Sequence, residues 1–384
     1  MLILKKPTIE DKGSWCIVKT LLCDENSSKE LFFAIENCEK QMLRKDSAPF
    51  LLWATLIAMK EKEDLLIEGA IDSRLLYGIT QILLPAFEKM GWKKTPVIQA
   101  QEIAEYKQEN PAKGVATGLS GGVDSFYTVV SHLDERLKLT HLVQFFPDMK
   151  IKDIGETVSF KNHNLLDCWN NGVKEKLGLP IIKVFSNFVE YCTFAFEQIH
   201  AFCNVSHALL LNGVIKTYLY STGFSMDETK LDFSDTSHYE LLISQVVNSS
   251  SFEMVSYLPV VNRIEKTMFI SKNEVVQKYL HVCVKRQIGE GNCTQCFKCK
   301  RTLATLDVIG KINQFTSSFD IPLYEKNKRK IWGELLYRKR IMKDSFAKEI
   351  ICEAKKQKYK KPVGAFCAMI GVGIRNQINK LKKD

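Results

Sequence analysis

The chain has 384 residues, of which 45% are hydrophobic and 26% charged, the composition of an ordinary globular protein. Its length favours two or three compact units over a single one. Its net charge is +10, and its longest apolar runs fall short of the roughly 18 residues that a membrane span needs. The first residues, MLILKKPTIEDKG, lack the charge order of a secretory signal peptide, so we expect a soluble, cytoplasmic protein with no membrane span.

Residues 1–108 are predicted to form an N-terminal α+β domain. The segments SWCIVKTLLCD and KELFFAIEN flank the turn-like ENSS, a pattern typical of a hairpin. The segments PFLLWATLIAMKEKED and SRLLYGITQILLPAFEKM follow with helical periodicity. The polar stretch EYKQENPAKG then marks a domain boundary, because its proline and glycine interrupt regular structure.

Residues 109–280 alternate between predicted strands and helices. The strand candidates are KGVATGLS, THLVQFFPD, LPIIKVFSN, TYLYSTG and EMVSYLPV. Helices are predicted over 125–138, about 163–177 and about 193–215. This alternation indicates an α/β fold with a parallel sheet and right-handed crossovers.

The stretch GLSGGVDS, which follows the first of these strands, predicts an anion site. Gly121 and Gly122 allow successive backbone amides to face one concavity, and Ser125 can cap the helix whose positive end faces the same place. A Walker loop is excluded because Val123 stands where its lysine would be. A serine-hydrolase elbow, GLSGG with Ser120 as nucleophile, is an alternative, but it does not account for Asp124 and Ser125.

The six residues SGGVDS resemble the pyrophosphate-binding loop of the N-type ATP pyrophosphatases, the PP-loop family, which cleave ATP between its α and β phosphates. The resemblance implies a Rossmann-like fold of the adenine nucleotide α-hydrolase type. It also implies that the loop binds ATP and Mg²⁺ through its residues, which are Ser120, Gly121, Gly122, Val123, Asp124 and Ser125.

Cleavage at the α-phosphate requires the β and γ phosphates to be held and their charge neutralised, and this loop has no lysine. We expect Arg263 and Lys266, in VVNRIEK, to supply that charge and to act with Asp124 in catalysis. Ser221 and Gly223, in STG after the fourth strand, are expected to border the nucleotide, and Asp148 after the second strand to touch ATP or metal.

Residues 281–318 are predicted to form a metal-binding module. Cys283, Cys293, Cys296 and Cys299 have nine, two and two intervening residues, a spacing that can close a tetrahedral structural Zn²⁺ site. The ferredoxin run continues with another cysteine where this chain has Leu303, so zinc is favoured and an iron–sulfur cluster is the alternative. Because Lys298, Lys300 and Arg301 make this segment polar, a plain buried core is not expected here.

No disulfide framework is expected in this chain. Seven other cysteines are predicted to be small buried hydrophobes: Cys16, Cys38, Cys168, Cys192, Cys203, Cys352 and Cys367.

Residues 319–384 form a basic, helical C-terminal region. From residue 321 onward we count 18 Lys and Arg against 6 Asp and Glu, a surplus of 12, so the rest of the chain is near −2 (10 minus 12). Such a region suits nucleic acid or another anionic partner, and equally a solvated helical face. No RNA-recognition or helix-turn-helix motif favours nucleic acid.

The PP-loop followed by four cysteines resembles 7-cyano-7-deazaguanine synthase, and SGGVDSFYT, TSHYELL, RIEK and NCTQCFKCKRT resemble a subgroup of its relatives over residues 113–310. The N-terminal domain and the basic region have no counterpart in that synthase, and its deazapurine-binding residues are not found. Ser237 and His238 are candidates for a different acceptor pocket.

The resemblance implies an ATP-dependent C–N bond-forming ligase that adenylates a carboxylate or amide oxygen, releases pyrophosphate and admits a nitrogen nucleophile. Without a glutaminase-like Cys/His arrangement, the nitrogen would come from ammonia, an amine or a partner glutaminase. A sulfurtransferase acting on tRNA and a module that only binds ATP are the remaining alternatives. The oligomeric state, a homodimer among the options, is left open.

Overall fold

The structure is a computed structural model that divides into two compact units. It describes residues 1–107, 111–133, 136–154, 163–257 and 260–381. The first unit comprises Met1–Leu119, Ser131–Phe160 and Leu179–Val260, and the second comprises Ser120–Val130, Lys161–Gly178 and Val261–Asp384.

In the part of the chain that the structure describes, the first unit contains one eleven-stranded sheet. Its strands are β1 (Leu2–Leu4), β2 (Thr8–Lys12), β3 (Trp15–Cys23), β4 (Ser28–Glu36), β5 (Leu65–Asp72), β6 (Ile98–Ala104), β7 (Gly114–Gly118), β8 (His141–Phe146), β9 (Ile181–Ser186), β10 (Ile215–Ser221) and β11 (Glu253–Tyr257). Their order is β11-β10-β7-β8-β9-β4-β3-β1-β5-β6, and β2 pairs with β3.

The five strands β11, β10, β7, β8 and β9 run parallel. The chain moves from β7 through β8 to β9 and then returns to β10 on the other side of β7. A reversal of this kind opens a crevice at the carboxyl ends of the two middle strands, where α/β proteins bind ligands. Here the switch point lies between Gly118, the last residue of β7, and Ser221, the last residue of β10.

The helices of the first unit cover this sheet. They are α1 (Ala48–Glu61), α2 (Ser73–Tyr77), α3 (Leu84–Lys89), α6 (Phe188–Tyr191), α7 (Phe196–Leu210) and α8 (Glu240–Val246), and a π-helical turn over Gly78–Leu83 joins α2 to α3. Consecutive side chains of a strand point to opposite faces. Phe33 of β4 therefore enters the larger hydrophobic core with α1 and α7, while Phe32 packs with Trp15 and Phe185 in a smaller cluster.

The second unit is helical in its described part. Its helices are α4 (Val123–Ser131, whose last residue belongs to the first unit), α5 (His163–Leu177), α9 (Arg263–Ile270), α10 (Glu274–Tyr279), α11 (Phe297–Val308), α12 (Ile321–Tyr337), α13 (Ser345–Lys356) and α14 (Ala365–Leu381). Helices α12 and α14 pack closely at Gly333, where an added Cβ would lie 2.6 Å from the Ala368 Cβ. The basic C-terminal region is thus folded as helices of this unit.

The five predicted strands, the N-terminal hairpin and the helix predicted over 163–177 are confirmed. The helix predicted over 125–138 is shorter, Val123–Ser131, and the one predicted over 193–215 is Phe196–Leu210. Residues 108–110 of the predicted domain boundary and residues 258–259 of the predicted fifth strand lie outside the described residues. Antiparallel pairing of β4 with β9 joins the strands of residues 1–108 to the parallel strands in one sheet.

Among the described helices, none combines the length and the apolar character that crossing a membrane requires.

His207 makes the stability of the first unit depend on pH. Its Nδ1–H donates to the Cys203 carbonyl (2.7 Å) and its Nε2 accepts from the Ser186 hydroxyl (2.9 Å), so the ring is neutral. Burial lowers the pKa of His207 to about 4 from 6.5. Because only the unfolded chain takes up this proton between those values, the stabilisation is complete above pH 6.5 and is lost as the pH falls to about 4, by up to about 3 kcal/mol.

His207→Gln retains two hydrogen-bonding atoms and does not titrate. In urea denaturation from pH 7.5 to 4.5, this variant is therefore expected to lose less stability than the wild type, while His238→Gln behaves as the wild type. Equal slopes for all three proteins would show that His207 is not the group responsible.

Candidate functional site

The loop between β7 and α4 has a backbone that only glycine adopts readily. Gly121 has a φ of +72°, in the left-handed region that disfavours side chains. A Cβ at this position would lie 3.1 Å from the His281 Cβ and 3.3 Å from the Trp169 ring. The Gly121 carbonyl accepts the His281 N–H at 2.8 Å, which fixes the turn that leads into α4.

Alternate residues of this loop are accessible. Ser120 is exposed and Gly122 and Asp124 are half-buried, whereas Gly121, Val123 and Ser125 are buried. The Ser125 hydroxyl accepts the Ser120 N–H at 3.1 Å. Since α4 begins at Val123, Ser125 lies inside the helix and braces the loop; the prediction that it caps the helix is wrong.

Asp124 holds two cations at the start of α4. Its carboxylate pairs with Arg263 through Nη2 at 2.5 Å and with Lys266 through Nζ at 3.3 Å. The Lys266 side chain is 2% exposed, so this amine is fixed in place. The predicted catalytic residues are therefore brought together around the loop.

A capping box sets the position of both cations. Asn262 Oδ1 accepts the Glu265 N–H at 3.1 Å, and Glu265 Oε2 accepts the Asn262 N–H at 2.9 Å, which starts α9 at Arg263. Lys266 follows three residues later and therefore lies on the same face of the helix.

Two residues that were not among the predicted site residues, Arg301 and Phe346, also belong to this cationic centre. Arg301 of α11 is 8% exposed, and the Phe346 ring of α13 lies against both Arg301 (4.2 Å) and Arg263 (4.6 Å). Burial, together with the charge of Arg263, lowers the pKa of Arg301 to about 9. The expectation that Arg301 makes its segment too polar for a core is wrong, because the guanidinium is buried against an aromatic ring.

The remaining predicted nucleotide-binding residues belong to the first unit. Ser221 lies at the switch point, where its hydroxyl is 3.4 Å from the Thr117 hydroxyl. Gly223 packs against Ser237, whose Oγ would be 2.9 Å from an added Cβ. Asp148 is exposed, and the structure gives it no contact that favours a ligand.

A polar cluster follows β10 in the first unit. His200 Nε2 contacts Asp235 Oδ1 (3.2 Å) and the Ser237 hydroxyl (3.3 Å), and Nδ1 contacts the Tyr220 hydroxyl (3.0 Å). Bonds from His200 and Ser237 outweigh burial and lower the pKa of Asp235. Ser237 thus joins this cluster, whereas His238 stacks on Phe224 instead.

The four predicted metal ligands converge. The Sγ atoms of Cys283, Cys293, Cys296 and Cys299 all lie within 4.8 Å of one another, which suits the roughly 2.3 Å Zn–S bonds of a tetrahedral site. Backbone N–H groups donate to three of the sulfurs, from Lys285 to Cys283 (3.3 Å), from Cys296 to Cys293 (3.2 Å) and from Cys299 to Cys296 (3.5 Å).

These backbone N–H donors stabilise the deprotonated, thiolate form of the cysteines. Although burial raises it, backbone N–H groups of Cys296 and Gln295 lower the pKa of Cys293 to about 7. By contrast, burial and the Cys296 thiol raise the pKa of Cys299, as expected when several thiols share one site without a cation. The group is therefore a Cys₄ site that could hold a metal such as zinc.

The other cysteines only partly follow the prediction. Cys16, Cys192 and Cys203 are buried, and Cys38 is half-buried. Three of the seven are exposed, which corrects the prediction for them: Cys168, Cys352 and Cys367.

The described residues of the second unit thus contain two chemically different sites, a cationic centre at the glycine loop and a group of four thiols. Comparisons of the chain with protein-family models, with curated proteins and with solved structures find no match.

Proposed function

We propose that this protein is an ATP-dependent adenylating enzyme of the PP-loop type, which cleaves ATP to AMP and pyrophosphate to activate a carboxylate or amide oxygen. The observation that carries the proposal is the arrangement at SGGVDS: a glycine turn at a helix N-terminus, with Arg263 and Lys266 fixed beside it by Asp124. Helix N-termini and fixed cations together favour polyphosphate.

Each residue of this centre has a role in the proposed reaction. The positive end of α4 holds the departing diphosphate, while Arg263 and Lys266 neutralise the charge that develops on it. Asp124 keeps both cations in place, and its half-buried carboxylate is an oxygen donor that could hold Mg²⁺, which would supply further neutralisation of phosphate charge. The order of the parallel strands around β7 is consistent with a nucleotide-binding sheet of this type.

The resemblance supplies the rest of the proposal. A nitrogen nucleophile attacks the carbon that bears the adenylated oxygen, and the C–N bond forms as the C–O bond to the departing AMP breaks, as in 7-cyano-7-deazaguanine synthase. The Cys₄ site leaves no open coordination position once four thiolates bind zinc, so its role is structural.

Exchange of labelled pyrophosphate into ATP tests this proposal, because exchange reports reversible cleavage at the α-phosphate. A panel of carboxylic acids and amides is incubated with the full chain, ATP and Mg²⁺. Exchange is expected with the true acceptor, and Lys266→Met is expected to reduce it about 100-fold or more, as loss of a fixed electrostatic group does.

Lys272→Met replaces an exposed lysine of the same unit and is the matched control, for which full exchange is expected. If ATP binds and no acid or amide in a broad panel supports exchange or AMP formation, adenylation is refuted and ATP is only a ligand.

The serine-hydrolase alternative gains no support from the loop. The Ser120 hydroxyl accepts the Gly122 N–H at 3.4 Å, and His281, which packs on Gly121, directs its Nε2 to the Arg286 carbonyl at 3.1 Å. Neither contact activates Ser120 as a nucleophile.

A further inference from the structure

The outer face of α14 is apolar. The opposite face of this helix packs on α12 at Gly333, and no element in the part of the chain that the structure describes covers the outer face. Side chains four residues apart are neighbours on a helix surface. Four large apolar side chains recur at that spacing along α14 and are each between 46% and 53% exposed: Phe366, Ile370, Ile374 and Ile378.

This apolar line, Phe366 to Ile378, is unusual for a helix surface that faces water. It spans about 18 Å along the helix, and the only charged residues of α14 are Arg375 and Lys380. A surface helix normally presents charged and polar side chains to water on the face opposite its packed one. A contiguous exposed apolar surface instead marks an interaction site.

The turn that follows α12 extends the apolar surface. Ile341 and Met342 are 64% and 55% exposed, and the preceding residue, Arg340, lies over the Phe366 ring at 5.3 Å from its centroid. The exposed apolar surface therefore begins at this turn and continues along α14.

A group of cations lies beside the start of the apolar line. Partial desolvation and, after it, the charges of Lys355, Lys339 and Arg340 lower the pKa of Lys361, which shows that the four side chains lie near one another. Arg340, Lys355 and Lys361 are exposed and Lys339 is half-buried. The four residues form a cationic cluster that faces solvent and can approach an anionic surface.

The carboxylates of α12 and α13 do not neutralise this cationic cluster. Glu349 lines a small pocket with Arg263 and Arg301. Between Glu353 and Asp384 the sequence has nine Lys and Arg residues and no Asp or Glu. Other carboxylates of the region form ion pairs with cations outside the cluster: Glu334 and Asp344 with Arg338, and Glu353 with Lys356.

We infer that the apolar line of α14 and the cationic cluster beside it form a docking surface for an anionic lipid bilayer. The helix lies in the plane of the membrane surface and does not cross it. The isoleucine and phenylalanine side chains enter the boundary between headgroups and acyl chains, and the cations contact the anionic headgroups.

The shape and charge of the surface favour a bilayer over other partners. A nucleic acid would satisfy the cations but would leave the apolar line in water. A second copy of the chain would bring two unneutralised cationic clusters together. A groove in a protein would have to enclose α14, whose opposite face is fixed on α12, whereas a flat surface needs only the outer face.

Sedimentation of the full chain with lipid vesicles tests the inference. The vesicles contain either phosphatidylcholine alone or phosphatidylcholine with about 30% phosphatidylglycerol, an anionic lipid. Binding to the anionic vesicles is expected to be at least about tenfold stronger, because several cations act together, and to weaken when the salt is raised from about 0.1 M to about 0.5 M. Equal binding to both vesicles, or no binding to either, would refute the docking surface.

Two double variants separate the apolar and the charged contributions. Ile370→Gln with Ile374→Gln is expected to weaken binding to anionic vesicles at least about tenfold, because two apolar side chains no longer leave water. Arg340→Gln with Lys361→Gln is expected to reduce the preference for anionic vesicles by a similar factor. Wild-type binding in either double variant would overturn the inference.

Matched single variants control for these changes. Ile103→Gln alters a similarly exposed isoleucine of β6, and Lys272→Gln alters an exposed lysine; both are expected to bind vesicles as the wild type does. Thermal unfolding without lipid is expected to give a wild-type Tm for the charge variant, because Arg340 and Lys361 are exposed. The charge variant therefore decides the outcome even if the isoleucine variant unfolds α14.

The same proteins identify the partner if it is not a membrane. A dimer in sedimentation velocity that becomes a monomer in the isoleucine double variant would show that a second copy covers α14. An RNA oligonucleotide that binds the wild type, while anionic vesicles do not, would show that the cationic cluster serves nucleic acid. Either result would overturn the assignment to a lipid surface.

Discussion

Serine in place of Cys299 is expected to abolish stoichiometric metal binding and to unfold the segment around α11. Cys299 is fully buried, and its sulfur lies 3.4 Å from that of Cys296. A structural zinc site contributes roughly 10–16 kcal/mol in zinc-finger peptides, comparable with the entire stability of a domain, about 5–15 kcal/mol. The variant is therefore expected to contain well under one metal per chain and to lose hydrogen-exchange protection in α11.

Elemental analysis and hydrogen exchange by mass spectrometry make these measurements on the purified full chain. Cys367→Ser, which changes an exposed cysteine of the same unit, is the control and should keep both its metal and its protection. One zinc per wild-type chain is the expected stoichiometry, whereas iron with visible absorption would identify the cluster alternative. Full metal content in Cys299→Ser would show that the four sulfurs are not the ligands.

The strands of the parallel sheet were predictable because the information is local. Segments such as HLVQFF and IIKVFS are short apolar runs bounded by turn residues, and they became β8 and β9. By contrast, local sequence could not predict that the N-terminal strands join the same sheet as the parallel strands. It depends on Phe33 and Ala34 of β4 pairing with Ser186 and Phe185 of β9, a contact between segments about 150 residues apart that no local pattern encodes.

The candidate site likewise contains residues that the sequence predicted and residues that it did not. Ser120 to Ser125 stand together in the sequence, and Arg263 and Lys266 were predicted to lie near them because the proposed phosphate-binding loop has no lysine of its own. Their pairing with Asp124 was not predicted. Arg301 was missed because a charged residue in a sequence indicates a surface position. Its burial depends on Phe346, which lies 45 residues further along in a region whose composition suggested only a basic tail. A signal was present, since Arg301 stands two residues after Cys299, one of the four predicted metal ligands, and is therefore held near the cysteine group.

Asp124→Asn is expected to affect both stability and activity strongly. The asparagine keeps the shape of the side chain and removes the negative charge that pairs with Arg263 and with Lys266, which is 2% exposed. Breaking a buried ion pair on one side leaves a buried charge uncompensated, at a cost of roughly 3–5 kcal/mol. Because Asp124 is 20% exposed, we expect a smaller loss of stability than this, about 2–3 kcal/mol, and a fall in pyrophosphate exchange of about 100-fold.

Denaturant-dependent hydrogen exchange of α9 measures the change in stability. The control is Glu274→Gln, which replaces an exposed glutamate of α10 and is expected to change the stability by no more than about 0.5 kcal/mol. Asp124→Asn leaves the buried Lys266 amine without its carboxylate partner, and adding Lys266→Met removes that amine. The double variant should therefore be more stable than Asp124→Asn alone by about 1 kcal/mol or more. Its exchange activity should stay low, because the charge that faces the phosphates is then missing as well. Additive losses of stability in the double variant would mean that Asp124 and Lys266 do not act as a pair, and the cationic centre would lose the residue that is proposed to organise it.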